Sequence, residues 1–307
     1  MPDSSLWGID LGGTKIECAV LTSASDPDVL FRKRIPTEGD RGYQHVLGQI
    51  EVLVEEACRE TGLSPMAMGI GTPGTLDPDS GLLRGCNSQH LQNKPFLDDV
   101  QTRLGVPVAI ENDANCFALA EARLGVVRTL CNPREVVFGV ILGTGVGGGL
   151  VVNNQLISGA NGISGEWGHN HLDDSGGVCY CGRTGCVETV LSGPALERYY
   201  EHMSGTRRKL RDIESRDNID PFARQTMERL VSFFGCAVST LINIVDPDII
   251  VIGGGVGNVD KIYTEGARAA SNRIFSPTMK TRIVKPMLGD SAGVFGAAHL
   301  TAVLPGS

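Results

Sequence analysis

Three cysteines and a histidine lie close enough in the sequence to close on one metal ion: His169, then Cys179 after nine intervening residues, Cys181 after one more, and Cys186 after four. Three thiolates and an imidazole make a closed tetrahedral zinc set. Four protein ligands leave no coordination position for a substrate, so the metal expected is structural. Gly176, Gly177, Gly182 and Gly185 supply the turns that such short loops need. His171 is a rival nitrogen ligand, and spacing alone leaves that choice open. Glu166 and Glu188 bracket the cluster and could aim two carboxylates at a polyol; the plainer reading of each is a surface charge.

Two glycine-rich turns read as phosphate cradles. In Asp10-Leu11-Gly12-Gly13-Thr14-Lys15 the glycine pair lets backbone N–H groups approach phosphate oxygens, Thr14 adds a hydroxyl, and Asp10 could hold a hydrated magnesium ion. The run Leu142 to Gly149 contains GxGxxG from Gly143 to Gly148. A strand rather than a helix is expected to follow it, so a dinucleotide-binding βαβ unit lacks its context and a second phosphate hairpin fits better. Gly253-Gly254-Gly255 after a buried strand could let a nucleoside lie against backbone. Asp113 could take a proton from a substrate hydroxyl that Asn112 fixes, although Asn112, Asp113 and Asn115 are also good helix N-cap residues.

These groups sit on alternating strands and helices. A hairpin is expected over residues 6–21, a helix over 43–61, a strand over 68–71, a helix over 96–104 and a strand over 106–110, with Asn112 opening a helix to about Leu124. A second hairpin over 136–157 echoes the first. A long helix over 222–245 leads into the strand Ile249–Ile252, and helices near 259–272 and 291–303 close the chain. The pattern predicts an α/β protein of duplicated architecture with a cleft between two halves. The expected lobes are 1–112, joined by the closing helix 291–307, and 113–290 with the zinc loop inserted.

Composition narrows the function. Twenty-seven Lys and Arg against 35 Asp and Glu leave a net charge of −8, which would repel a nucleic-acid backbone. Val136 to Val152 is nearly apolar, but it is short of the ~20 residues a membrane span needs, and no membrane association is expected. The amino terminus lacks the basic and apolar regions of a secretory signal, and nine cysteines without one read as reduced thiols, so a cytoplasmic protein is expected.

DLGGTK at 10–15, NDAN at 112–115, LGTGVGGG at 142–149, GEWGH at 165–169, CYCGRTGCVE at 179–188 and VDPDIIVIGGG at 245–255 occur in this order. Together they resemble the ROK (repressor, open reading frame, kinase) family of sugar kinases along nearly the whole chain. Gly165 to Asn170 and Asn87-Ser88 are most similar to its manno(fructo)kinase and fructokinase branch, with N-acetylhexosamine or glucose kinases the alternative. The resemblance implies the actin-like ATPase (ribonuclease H-like) fold, ATP and Mg2+, a structural Zn2+, and transfer of phosphate to the 6-hydroxyl of fructose or mannose. It makes Asp113 the catalytic base and places Asn87, Asn112, Glu166, His169 and Glu188 on the sugar. It places Asp10, Gly12, Gly13, Thr14, Lys15, Thr144, Gly145 and Gly254 on ATP and magnesium. His169, Cys179, Cys181 and Cys186 become the zinc ligands, and His169 would reach metal with one ring nitrogen and sugar with the other. A homodimer without nucleic-acid partners is expected. A non-catalytic sugar-sensing regulator is the alternative class, and a first hairpin starting at residue 6 is expected to leave no room for a DNA-binding helix-turn-helix before it.

Overall fold

The computed structural model describes residues 5–24, 27–86, 88–130 and 135–303. Asn87, expected on the sugar, lies outside these residues. Backbone contacts divide the chain into two compact units, one of Met1–Leu130, Asn154–Ser164 and Met287–Ser307, the other of Cys131–Asn153 and Gly165–Pro286.

In the first unit, strands β1 (Leu6–Leu11), β2 (Lys15–Leu21), β3 (Val29–Pro36), β4 (Met68–Thr72) and β5 (Val108–Asn112) form one sheet in the order β3–β2–β1–β4–β5. β2 runs antiparallel to β1 and β3, while β4 is parallel to β1 and β5. Because side chains alternate along a strand, Trp7, Ile9 and Leu11 share one face. There they join Val46, Ile50 and Leu53 of helix α1 (Tyr43–Thr61) and Phe96 and Val100 of α2 (Phe96–Leu104) in one core. Gly8 and Asp10 fall on the other face, under helices α3 (Asp113–Arg123) and the late Ala292–Leu300 helix. That late helix lies against the sheet backbone: a Cβ on Gly69 would stand 1.7 Å from the Ala297 carbonyl oxygen. It also touches α3, where Gly296 meets the Cys116 carbonyl, so the β5–α3 junction at which the sequence places its divide lies inside this unit.

β3 is left unassigned by sequence pattern because Arg32, Lys33 and Arg34 interrupt its apolar residues. The structure gives these charges a reason. Glu17, only 3% exposed on β2, receives Arg32 Nε at 2.6 Å and Arg34 Nε at 3.1 Å, so a buried carboxylate is paired from the neighbouring strand.

The second unit repeats the layout. β6 (Val136–Leu142) and β7 (Val146–Val152) form an antiparallel hairpin, and β8 (Ile249–Gly253) and β9 (Arg282–Val284) follow parallel to β6, in the order β7–β6–β8–β9. Short helix α4 (Val187–Leu191) and α5 (Gly193–Ser204) precede α6 (Pro221–Val245), and the late helix of the first unit is α7. Asp220 caps α6 by accepting from Phe222 and Ala223 N–H, and Pro221 starts it. α6 is long and apolar enough to cross a membrane, but Met227, Leu230, Phe234 and Val238 are buried in the core with Phe138, Val140, Ile250 and Ile252. The two sheets of matching topology are the actin-like ATPase fold expected. Observed elements differ from the sequence reading at β3 and α5, which it leaves unassigned, and over 256–272, where two 3-10 turns precede a short helix, Glu265–Ser271.

α7 also carries a pH-sensitive group. His299 is fully buried and neither ring nitrogen has a hydrogen-bond partner among the described residues. Burial, with Arg123 adding to it, pushes its pKa down to about 4. The unfolded chain takes up this proton near pH 6.5 and the folded chain only near 4, so the stability is present above 6.5 and is lost as pH falls, by roughly 3 kcal/mol in all. His299→Leu, similar in volume, should flatten the decline of the urea midpoint between pH 6.5 and 4; an unchanged slope would place the acid sensitivity elsewhere.

Candidate active site

The β1–β2 turn closes through Gly12 N–H donating to the Lys15 carbonyl at 2.9 Å. Gly13, Thr14 and the Lys15 side chain are exposed at its tip. Thr37, fully buried and given no role by the sequence, pins the turn: its hydroxyl donates to the Gly12 carbonyl at 2.7 Å and its N–H to the Thr14 carbonyl at 3.0 Å. Asp10, beside this turn, points toward α7, with Gly293 so near that a Cβ there would lie 2.8 Å from Oδ2. Burial, then the negative charges of Asp113 and Glu17, raise the Asp10 pKa to about 7 against the pull of Arg34. A carboxylate so short of positive charge is suited to a divalent cation, which fits the expected magnesium role.

Asn112 and Asp113 stand at the β5–α3 junction, at the carboxyl end of a parallel strand. Asn112 is the N-cap: its Oδ1 accepts from Ala114 N–H at 2.8 Å while its Nδ2 donates to the Gly74 carbonyl at 3.2 Å. The capping reading therefore holds for Asn112, and one amide proton remains for a sugar hydroxyl. Asp113 Oδ1 also accepts from Ala114 N–H, at 2.7 Å, which fixes the carboxylate in the first turn of α3.

In the second unit three glycine segments meet. Gly143 N–H donates to the Gly145 carbonyl and the Gly143 carbonyl accepts from Gly193 N–H, both at 2.9 Å, tying the β6–β7 turn to the start of α5. Gly254 follows β8 at φ 84°, and a Cβ on it would lie 2.3 Å from the Leu142 carbonyl oxygen. Gly254 thus lies against the Leu142–Gly143 start of the turn that carries Thr144 and Gly145. The remaining glycines of this motif serve differently from the phosphate role read into them: Gly148 lies under Trp167, whose Nε1 donates to the Gly147 carbonyl at 2.9 Å. That contact seats the Glu166–His169 segment on β7. Glu188 is no mere surface charge, since its Oε2 accepts from Val146 N–H at 3.0 Å at the end of the same turn.

The metal-ligating atoms of His169, Cys179, Cys181 and Cys186 all lie within 4.8 Å of one another. Cys181 Sγ to Cys186 Sγ and Cys179 Sγ to His169 Nδ1 are each 3.6 Å. A tetrahedral zinc with its usual bond lengths separates its ligand atoms by about 3.6 Å, so the donor set fits. Burial would otherwise keep the Cys186 thiol protonated, with its pKa pushed up to about 12, so a thiolate there calls for a cation. His171 drops out: its Nε2 meets Asp174 Oδ1 at 3.0 Å. The second nitrogen of His169 is also occupied, with Nε2 3.0 Å from the Tyr180 hydroxyl and 3.9 Å from Glu166. Burial raises the Glu166 pKa, with His169 opposing and Glu188 assisting. Tyr180 carries no motif signal beyond being an aromatic residue between two cysteines.

A profile of the ROK family matches residues 6–303. An N-acetyl-D-glucosamine kinase of Pectobacterium atrosepticum is 36% identical, with 96% of this chain and 98% of that protein covered. The crystal structure of a ROK hexokinase from Thermus thermophilus is similar at a TM-score of 0.85 and 33% identity, covering 96% of this chain and 97% of its own. A ROK family glucokinase from Streptomyces griseus in complex with glucose and AMPPNP reaches 0.77 at 27% identity, covering 97% and 99%.

Proposed function

This chain belongs to the ROK family and is a sugar kinase, and from that premise we propose that it phosphorylates N-acetylglucosamine at the 6-hydroxyl with ATP. Identity of 36% to an N-acetyl-D-glucosamine kinase along 96% of the chain carries this reading. It outweighs the Gly165–Asn170 and Asn87-Ser88 motifs that point to fructose or mannose. The acceptor groups agree with a sugar bearing an amide: Glu166 and Glu188 can accept from hydroxyl and amide N–H groups.

In the proposed mechanism Asp113 takes the proton of the 6-hydroxyl as that oxygen bonds to the γ-phosphorus, and ADP departs with the electrons of the broken P–O bond. Asn112 orients the hydroxyl. The turns at Gly12–Thr14 and Thr144–Gly145, with Gly254, supply backbone donors to the phosphates, and Lys15 adds charge beside the first of them. Asp10 would hold magnesium, which when bound would neutralise phosphate charge. The zinc ligands would act on sugar binding, by holding His169 and the loop that follows it.

Initial rates with ATP and magnesium at sub-saturating sugar test the substrate. N-acetylglucosamine should exceed glucose, mannose and fructose in kcat/KM by at least ~10-fold, the discrimination a site with dedicated polar partners achieves readily. A lead for fructose or mannose would overturn the substrate and leave the kinase standing.

A further inference from the structure

Tyr180 lies at the tip of the zinc loop, where Cys179 N–H donates to the Arg183 carbonyl at 2.7 Å and Gly182 N–H to the Cys179 carbonyl at 3.0 Å. The residues on either side of it, Cys179 and Cys181, both belong to the metal-ligand cluster, so its backbone is held from two directions. Its ring meets the His169 imidazole edge-on, at 5.1 Å between centroids and 89° between planes. Its hydroxyl is 3.0 Å from His169 Nε2, yet the residue is 62% exposed. An aromatic ring anchored at its polar end and open on its face is placed to meet a ligand.

The proton arithmetic gives the hydroxyl a direction. With Nδ1 turned to the sulfurs, a metal-bound His169 keeps its proton on Nε2 and donates it to the Tyr180 oxygen. The phenolic proton is then left to be donated outward. Tyr180 therefore takes the position that the sequence assigns to the second nitrogen of His169.

We propose that Tyr180 is a sugar-contacting, specificity-determining residue, its hydroxyl bonding a sugar oxygen and its exposed ring receiving the acetamido methyl group. The second half rests on the N-acetylglucosamine reading above. An acetamido group pairs an N–H with a methyl, and the Tyr180 hydroxyl and the Glu166 carboxylate both face His169 Nε2, at 3.0 and 3.9 Å. Acceptor for the N–H and apolar face for the methyl are both provided.

The experiment compares the parent with Tyr180→Phe and Tyr180→Ala in calorimetric dissociation constants for N-acetylglucosamine and glucose without ATP, in kcat/KM for both, and in zinc per chain. Tyr180→Phe should weaken both sugars by ~10-fold, the loss of one hydrogen bond to a site made for it. Tyr180→Ala should in addition cut the preference for the acetylated sugar by ~10-fold, within the range one methyl-sized contact supplies. Zinc content should not change. Unchanged dissociation constants in Tyr180→Phe overturn the hydroxyl contact. Equal weakening of the two sugars in Tyr180→Ala overturns the methyl contact, and if that variant loses zinc, Tyr180→Gln, which removes the aromatic face and keeps the bulk, is read in its place. A parent that shows no preference for N-acetylglucosamine overturns the substrate reading instead, while the Tyr180→Phe comparison on its preferred sugar still judges the residue.

Discussion

Asp113→Asn is expected to fold as the parent does and to lower kcat by ~10²- to 10⁴-fold, the contribution of a positioned general base. The helix that Asp113 begins does not depend on its charge. Asn112 is the N-cap, and an asparagine at 113 keeps an Oδ1 for the Ala114 N–H that Asp113 now accepts at 2.7 Å. Losing a negative charge from the first turn costs ~0.3 to 1 kcal/mol through the helix dipole, far below the 3 to 5 kcal/mol that the expected loss in kcat represents. The neighbouring carboxylate supplies a second readout. Asp113 is one of the charges that raise the pKa of Asp10, so its removal lets Asp10 ionise more readily. Magnesium–ATP should therefore bind no more weakly, and the defect should appear in kcat and leave KM for ATP unraised. Turnover within a few-fold of the parent, with the helical circular dichroism intact, would reduce Asp113 to a member of the α3 first turn.

The doubled hairpin plan is legible because each hairpin announces itself by glycines at its turn and apolar runs on both sides. β3 is not, because the pattern rule counts Arg32 and Arg34 against a strand. Their partner, Glu17, lies on another strand, and only the fold brings it within reach. The Cys and His cluster is legible as a set, but that His169 rather than His171 joins it depends on the His171 contact to Asp174 and on the Gly168 and Trp167 packing on β7, which spacing does not encode. Glycines mislead in one respect. In Leu142–Gly149 the first part makes the turn and the last part makes room for Trp167, and a composition-level reading assigns both to phosphate. Glu188 and Thr37 are further cases in which the role lies in hydrogen bonds to distant backbone groups.

Cys181→Ser should remove the single zinc expected per chain and raise KM for the sugar by ~10-fold or more, the scale at which changes around a metal site act. Cys181 is the informative ligand to change because it is exposed, so serine leaves no cavity and the effect reports the metal. Cys186 is fully buried, and its replacement would mix the two. Without the ion, the loop tip is left with the Cys179–Arg183 and Gly182–Cys179 hydrogen bonds. Such bonds contribute ~1 kcal/mol each, against the ~10 or more that a structural zinc site supplies in small zinc-binding peptides. His169 then loses the anchor on Nδ1, and with it the fixed tautomer on which its Nε2 contact to Tyr180 depends. The disturbance has a path to the nucleotide side as well. Cys186 is the residue from which α4 starts, and Glu188, two residues on, holds Val146 N–H at the end of the β6–β7 turn. KM for ATP should accordingly rise too, by a smaller factor, while kcat, set by Asp113 in the other unit, should change least. Protein purified without chelator that contains no metal by elemental analysis would sink the zinc assignment. A Cys181→Ser protein that loses zinc but keeps the parent KM for both substrates would show the metal to be idle in substrate binding.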